Sequence, residues 1–392
     1  MADMDSHVRS GERLQGEDRP MKRNGADHVH SAMLARPRPP FLLRLPVEAM
    51  VILGLMLPLA GPALANEAEV CLHEREVEKA LAACNTVLAD RGLAGERRAR
   101  LLAARAANHI KQKKFREALA DLDAALKHLP GDPEILLARG DLYLLMGFAN
   151  RALTDYSRVI EKDPHNVRAH LGRAIVWQFR GKLKHALKDL EVAIRADPGN
   201  GELHAQKGNI LMRLKRWREA VAAFNDAIFA NPNDVDSREN RAVAWMRLKQ
   251  WARARNALDV AIRLAPGRST LYEKRARANW MMGRKREALA DLSAVVQLRP
   301  DDARARIDRG IVHLRLGNVK AALADFARAE AMGAHTPQLH YFRGRAYEKL
   351  GRTREARQEY RRALAAPAAS MADARARAEA DTRLKTLSVG SR

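Results

Sequence analysis

The sequence predicts an all-α protein, a solenoid in which one helix-turn-helix unit is repeated along the chain. Six prolines, from Pro130 to Pro300, and six alanines, from Ala118 to Ala288, each recur at intervals of 34 residues. Between successive prolines lie two segments whose apolar residues are spaced three and four apart, as on one face of a helix. Because proline cannot continue a helix, each unit is predicted to be helix, turn, helix and stop.

Composition favours an extended repeat array over one large globular core. Aromatic residues make up 5% of the 392 residues, and charged residues make up 30%. The formal net charge is +23, so the surface favours anionic partners without identifying one. The sequence lacks H-E-x-x-H, G-x-S-x-G and Gly-rich phosphate-loop motifs. We therefore expect no enzyme activity, no catalytic residues and no cofactor.

The repeated units resemble the tetratricopeptide repeat (TPR) family. Segments such as "REALADLDAALKHLPGD" and "REALADLSAVVQLRPDD" carry the small, leucine or aromatic, and proline positions of that family. The resemblance implies a right-handed superhelical solenoid that serves as a non-enzymatic protein-interaction scaffold. We expect an N-terminal extension and signal peptide at 1–65, a capping half-repeat at 66–98, about eight repeats at 99–370, and a capping helix and tail at 371–392.

An apolar run near the N-terminus predicts export. The run "AMVILGLMLPLAGPALA" follows several arginines and ends in a small-x-small pattern at Ala65, typical of a signal-peptide cleavage site. A spanning helix needs about 20 uninterrupted apolar residues, and Pro58 and Pro62 interrupt this run before that length is reached. We expect cleavage near Ala65, no transmembrane span in the mature chain, and a periplasmic or secreted location. A cytoplasmic location is the alternative if the signal is not used.

The chain has two cysteines, Cys71 and Cys84, and both precede the first full repeat. Alignment with the repeats places Cys71 on a first helix and Cys84 on the second, at positions that face each other. We expect a disulfide that stabilises this terminal helix pair by about 2–4 kcal/mol, with chemistry that export makes available. The alternatives are two buried free thiols or, less favoured by the spacing, a metal or redox centre with His73 as the nearest further ligand.

An arginine or lysine stands at the seventh position of every unit, and six of the eight units have an acid sixteen residues later. Because the geometry repeats, we predict a recurring structural ion pair along the helix interfaces. The predicted pairs include Arg139 with Asp155, Arg173 with Asp189, Arg275 with Asp291, and Arg309 with Asp325. Ala223 and Ala257 replace the acid in two units. The alternative interpretation is a row of arginine ligands.

The resemblance also places certain first-helix positions on a concave surface, where such repeats bind partners. Apolar residues at these positions predict a groove for a peptide or helix of a protein partner. The predicted groove residues are Leu144, Ile175, Phe179, Met212, Met246, Trp280, Met281 and Leu314. Trp280 is the best single anchor, since Trp dominates interface hot spots. The alternative is tight superhelical packing that buries the strip.

A basic stretch runs from Arg238 to Arg286, with fourteen Lys or Arg residues against three acids. The predicted basic patch contains Arg247, Arg253, Arg255, Arg277, Arg284, Lys285 and Arg286. It suits an acidic protein segment, an anionic envelope polymer or lipid headgroups, and export argues against nucleic acid. The predicted function is thus an interaction scaffold or assembly adaptor. The alternative is a basic protein that binds an envelope polymer or a membrane surface mainly by charge.

Histidines recur at one repeat position, as at His170, His204 and His340. Recurrence at one position of a repeat favours a packing role. We therefore predict no metal site.

Overall fold

A computed structural model describes residues 62–389, in which the chain forms nineteen α-helices and no β-strand. The predicted signal peptide lies outside these residues except for its last few positions. The helices divide into two compact units, one ending at Pro198 and the other beginning at Gly199. No helix in the described part combines the length and the apolar character needed to cross a membrane.

The first unit contains four helix pairs. Its helices are α1 (Pro62–His73), α2 (Val77–Leu88), α3 (Gly95–Lys111), α4 (Phe115–His128), α5 (Pro133–Met146), α6 (Ala149–Lys162), α7 (Val167–Phe179) and α8 (Leu183–Ala196). The helices of each pair pack against each other, and each second helix packs against the first helix of the next pair. The N-terminal segment that holds Cys71 and Cys84 forms the short pair of α1 and α2.

The second unit contains five pairs and one terminal helix. Its helices are α9 (Gly201–Arg213), α10 (Trp217–Ala230), α11 (Val235–Arg247), α12 (Trp251–Leu264), α13 (Ser269–Met281), α14 (Lys285–Leu298), α15 (Ala303–Arg315), α16 (Val319–Ala331), α17 (Pro337–Lys349), α18 (Thr353–Ala365) and α19 (Met371–Val389). Helix α19 lies against α17 and α18 and covers an apolar face that includes Tyr341 and Tyr360.

Local sequence explains where most first helices begin. At most of these starts, an Asp, Asn or Thr accepts a hydrogen bond from a backbone N–H of the first helical turn, as Asp132 Oδ1 does from Ile135 at 3.0 Å. Helix α13 is an exception, because Arg268 precedes it and gives no side-chain cap. Such caps satisfy donors that have no partner inside the helix. The same arrangement occurs at Asn166, Asp234, Asp302 and Thr336.

The turn inside each helix pair from α3–α4 to α17–α18 contains a left-handed residue. Glycine provides it in several pairs, for example Gly147 with φ 83°. In three pairs a lysine takes the same conformation: Lys113, Lys215 and Lys249 have φ of 61°, 60° and 60°. A side chain with a Cβ is strained there, whereas glycine is not.

A large aromatic ring on the second helix fills the space above a small residue on the first. The fully buried Tyr156 ring lies between Gly140 and Gly172, where an added Cβ would come within 2.8 and 2.6 Å of the ring. Phe224, Phe326 and Tyr360 lie against glycines in the same way. In these four repeats the ring explains the glycine at the eighth position and fixes the spacing of the paired helices.

Candidate functional site

The recurring geometry of the repeats places a ladder of ion pairs between the helices. Arg139 Nε and Nη2 each donate to the carboxylate of Asp155 at 2.8 Å. The same two-point bond joins the other three predicted pairs: Arg173 with Asp189, Arg275 with Asp291, and Arg309 with Asp325. Arg105 pairs likewise with Asp121, and Arg343 with Glu359. The acids are buried, so the ladder is part of the interior.

Two of these arginines have a second partner that the sequence spacing did not predict. Nη1 of Arg139 donates to Asp123 of the preceding helix pair at 2.8 Å, and Nη1 of Arg275 donates to Asp259, also in the preceding pair, at 2.8 Å. One guanidinium thereby joins its own helix pair to the pair before it. A signal was present, because polar residues recur at the twenty-fifth position of the units.

The electrostatics of the ladder favour the ionised forms. Hydrogen bonding to Asp155 raises the pKa of Arg139 and outweighs the opposing effect of burial, with Asp123 adding to it. Burial acts to raise the pKa of Asp189, but hydrogen bonds from His170 and Arg173 outweigh it, so this pKa lies below its usual value. Both shifts favour the charged forms of Arg139 and Asp189.

In the first unit, the predicted groove residues are on α5 and α7. Leu144 and Ile175 are half-buried. Phe179, the last residue of α7, is 61% exposed. Of these three, Phe179 therefore has the most surface available to a partner.

In the second unit, the predicted groove residues divide into two sets. Met212, Met246 and Trp280, all at the twelfth position of their units, are half-buried, whereas Met281 is 52% exposed. Trp280 packs against a cluster that includes Leu292 and Val312, so it contributes to the core as well as to the surface.

The groove prediction is wrong for Leu314, which is 3% exposed. Its side chain packs with Phe326, Ala322 and Ala346, and Phe342 lies against the same cluster. In the other repeats, the residues corresponding to Phe342 are smaller or polar. The extra ring explains why this position is closed here.

The predicted basic patch is exposed at Arg247, Arg253, Arg277, Arg284, Lys285 and Arg286. Arg255 is the exception, since it is half-buried and lies 3.6 Å from a carboxylate oxygen of Asp259. The guanidinium of Arg253 lies 4.8 Å from the centre of the Trp245 ring. Partial burial, followed by the charge of Arg247 on α11, lowers the pKa of Arg277 on α13.

Three potential metal ligands lie near the start of α17. Glu330, His335 and His340 each offer a ligand atom, and these atoms lie within 4.8 Å of one another. Arg343, however, donates to both carboxylate oxygens of Glu330 at 2.5 and 3.0 Å, and Nδ1 of His340 lies 2.9 Å from Glu359. A guanidinium already neutralises the only carboxylate of the three, so we interpret the cluster as an ion-pair network.

Paired helices in a repeating stack, joined by buried ion pairs, define a helical-repeat scaffold whose fold is typical of protein–protein interaction. The tetratricopeptide repeat family matches residues 103–147, 137–201, 206–269, 273–337 and 308–374, which is well over half of the chain. The chain belongs to the tetratricopeptide repeat family. No curated protein sequence matches it.

Several solved structures of TPR proteins are similar to this chain. The C-terminal part of a TPR protein from Cytophaga hutchinsonii is 16% identical with a TM-score of 0.52, covering 62% of this chain and 97% of that one. A TPR protein from Parabacteroides merdae is 22% identical with a TM-score of 0.46, covering 65% and 98%. YrrB, a TPR protein with an unusual peptide-binding site, is 21% identical with a TM-score of 0.42, covering 47% and 95%. At 16% identity, the similarity to the Cytophaga hutchinsonii structure shows the fold alone.

Proposed function

We propose that this protein is a non-enzymatic scaffold or assembly adaptor whose first-helix surface binds an amphipathic, acidic segment of a protein partner. The observation that carries the proposal is a row of exposed side chains in the second unit. The thirteenth positions of α9, α11, α13 and α15 hold Arg213, Arg247, Met281 and Arg315, all exposed. Three cations and one thioether thus share one position on successive first helices.

An apolar border accompanies this row. Met212, Met246 and Trp280 directly precede the first three of these residues and are half-buried. Apolar side chains of a partner helix would remove the exposed parts of these residues from water. Acidic side chains at the edge of the partner helix would then lie near the arginines, which contributes more to association rate and specificity than to affinity. Methionine adapts its shape readily, so the surface suits a helix in a groove.

The test is selection of helical peptides from a display library with the full chain as the immobilised protein. We expect enriched peptides to have apolar residues at helical spacing, flanked by Asp or Glu. Met281→Ser and Arg247→Glu should each abolish the enrichment. The matched control is Phe229→Ser, because Phe229 is 89% exposed but belongs to a second helix. Enrichment that survives Met281→Ser and Arg247→Glu would contradict the proposal.

A specific feature supports the alternative function. Arg284, Lys285 and Arg286 are three consecutive exposed cations where α14 begins. Such a run suits an anionic polymer or a lipid headgroup surface. Sedimentation with anionic phospholipid vesicles separates the two functions. Charge-driven binding should collapse as salt is raised and should be lost on replacing these three residues by serine, whereas peptide binding through Met281 should survive both changes.

We also propose that the protein is exported after cleavage near Ala65. The apolar run and the small-x-small pattern support this, as does a disulfide that needs an oxidising compartment. The test is the intact mass of the protein from its native host, alkylated without reduction. A chain that starts at Asn66 with both cysteines unmodified is expected. A full-length mass with two alkylated cysteines would place the protein in the cytoplasm.

A further inference from the structure

The ladder of ion pairs has a break in the second unit, between α11 and α12. Arg241 occupies the arginine position of this helix pair, but Ala257 stands where the equivalent pairs have their acid. In the next helix pair, Asp291 occupies that position and accepts hydrogen bonds from Nε and Nη2 of Arg275 at 3.0 and 2.5 Å. The comparison shows what the substitution removes: the carboxylate that would accept from Arg241.

Arg241 nevertheless keeps the orientation of the other ladder arginines. Its Nη1 donates to Asn225 Oδ1 of the preceding helix pair at 2.7 Å, just as Nη1 of Arg275 donates to Asp259. The opposite edge of the guanidinium, which includes Nε, therefore faces the place that the acid takes elsewhere. This Nε is buried, and among the described residues no acceptor reaches it. A buried donor without an acceptor is costly, more so when it carries charge.

A second cation belongs to the same place. In two equivalent helix pairs, the residue at the fourth position of the repeat contacts the acid. Nδ1 of His170 lies 2.9 Å from Oδ1 of Asp189, and Nδ1 of His340 lies 2.9 Å from Oε2 of Glu359. In the α11–α12 pair the fourth position is Arg238. Burial, followed by the charge of Arg238, lowers the pKa of Arg241. Arg238 Nη2 donates to the carbonyl oxygen of Pro232 at 2.5 Å, as His170 Nε2 contacts that of Pro164, and the buried Nε of Arg238 has no acceptor among the described residues.

The large ring at the eleventh position is compatible with a carboxylate in this place. Trp245 occupies that position in α11, and Trp177 occupies it in α7. The pair that contains Trp177 holds the buried carboxylate of Asp189. The Trp245 ring also has a partner of its own in Arg253. The tryptophan therefore does not explain the loss of the acid.

We propose that the place between Arg241, Arg238 and Ala257 is a binding site for a small monocarboxylate anion, which completes the ladder between α11 and α12. Formate is the matching probe, since it is the carboxylate that aspartate has and alanine lacks. Its two oxygens can accept from Nε and Nη2 in the fork geometry of the neighbouring pairs. Burial of Nε and of Ala257 favours a free small anion over the acidic side chain of a protein partner.

This inference does not depend on the proposed function, because it concerns the interior of a helix pair and not the first-helix surface. The test is the melting temperature of the full chain in sodium formate against sodium chloride at equal ionic strength. A ligand that binds only the folded state raises stability in a saturating way. We expect the melting temperature to rise more in formate than in chloride and to level off as formate saturates the site. A tenfold gain in the folding equilibrium constant corresponds to a rise of about 2–4 °C.

Three variants complete the test. Ala257→Asp supplies the carboxylate in the chain, so it should melt higher than the wild type and lose the formate increment. Arg241→Met should also lose the increment, which keeps the test valid if Ala257→Asp folds poorly. Asp291→Ala removes the acid that accepts from Nε and Nη2 of Arg275, in a pair whose fourth position is Tyr272, and it should enlarge the increment. Equal melting in formate and chloride, or an increment that Ala257→Asp and Arg241→Met both retain, would overturn the proposal.

Discussion

Arg139 and Asp155 bind each other through two hydrogen bonds of 2.8 Å, and Asp155 is almost completely buried. The pair links α5 to α6, and Arg139 also reaches back to Asp123 on α4. We expect Asp155→Ala to leave a partly buried guanidinium without its main acceptor. Removing one partner of such a pair is strongly destabilising. The expected loss is about 2–3 kcal/mol, moderated because Arg139 keeps Asp123.

The measurement is thermal or urea unfolding of the full chain, together with peptide binding to the second unit. The matched control is Glu161→Ala, since Glu161 is an exposed acid on the same helix. We expect the control to change stability little and neither variant to change peptide binding. Unchanged melting of Asp155→Ala would show that the pair contributes nothing to stability.

The disulfide between Cys71 and Cys84 joins α1 to α2 inside the core of the first unit. Both cysteines are buried, with exposures of 1% and 0%. We expect reduction, or the double replacement of both cysteines by alanine, to lower the stability of this terminal pair by about 2–4 kcal/mol, because the unfolded chain loses a constraint.

Melting with and without reductant measures this effect. The double variant provides the control, since its melting should not respond to reductant. Complete thiol titration of the untreated native protein would contradict the prediction, because it would mean that no bond forms.

Much of this fold could be predicted from the sequence, because a strict 34-residue period makes every unit repeat the same geometry. The ladder pair of Arg139 and Asp155 follows from spacing alone, since one contact in a repeat implies the others. The second acceptor, Asp123, did not follow, because a contact between neighbouring units depends on how the pairs stack. Apolar spacing also failed to separate exposed from buried positions at Leu314, where Phe326 and Phe342 enclose the side chain.

The turn residue Lys249 offers a separate test of how the units are built. Its φ is 60°, whereas equivalent turns use glycine, for example Gly283 with φ 76°. We expect Lys249→Gly to raise the free energy of unfolding by roughly 0.5–1 kcal/mol, since relief of the left-handed strain exceeds the entropy cost of glycine. Urea unfolding measures the change. Lys249→Ala is the control, because it removes the amine but keeps the Cβ and should bring no gain.

Asp308 on α15 predicts a pH dependence of the opposite sign to that of Asp189. Burial raises the pKa of this half-buried carboxyl to about 6, with Arg304 opposing and Asp302 adding to the shift. Because the folded pKa exceeds the unfolded value of about 3.9, the folded chain holds this proton more tightly. The stability that Asp308 contributes is therefore present below about pH 4 and is lost as the pH rises through about 6.

Asp308→Asn should remove this dependence, because the amide stays neutral. We expect the variant to be more stable than the wild type at pH 7 by roughly 1–3 kcal/mol and to match it near pH 4. Urea unfolding of both proteins across this range measures the difference. Asp301→Asn, which replaces an exposed acid two residues before α15, is the control and should give parallel curves. A constant difference between Asp308→Asn and the wild type at every pH would mean that this carboxyl titrates normally in the folded protein.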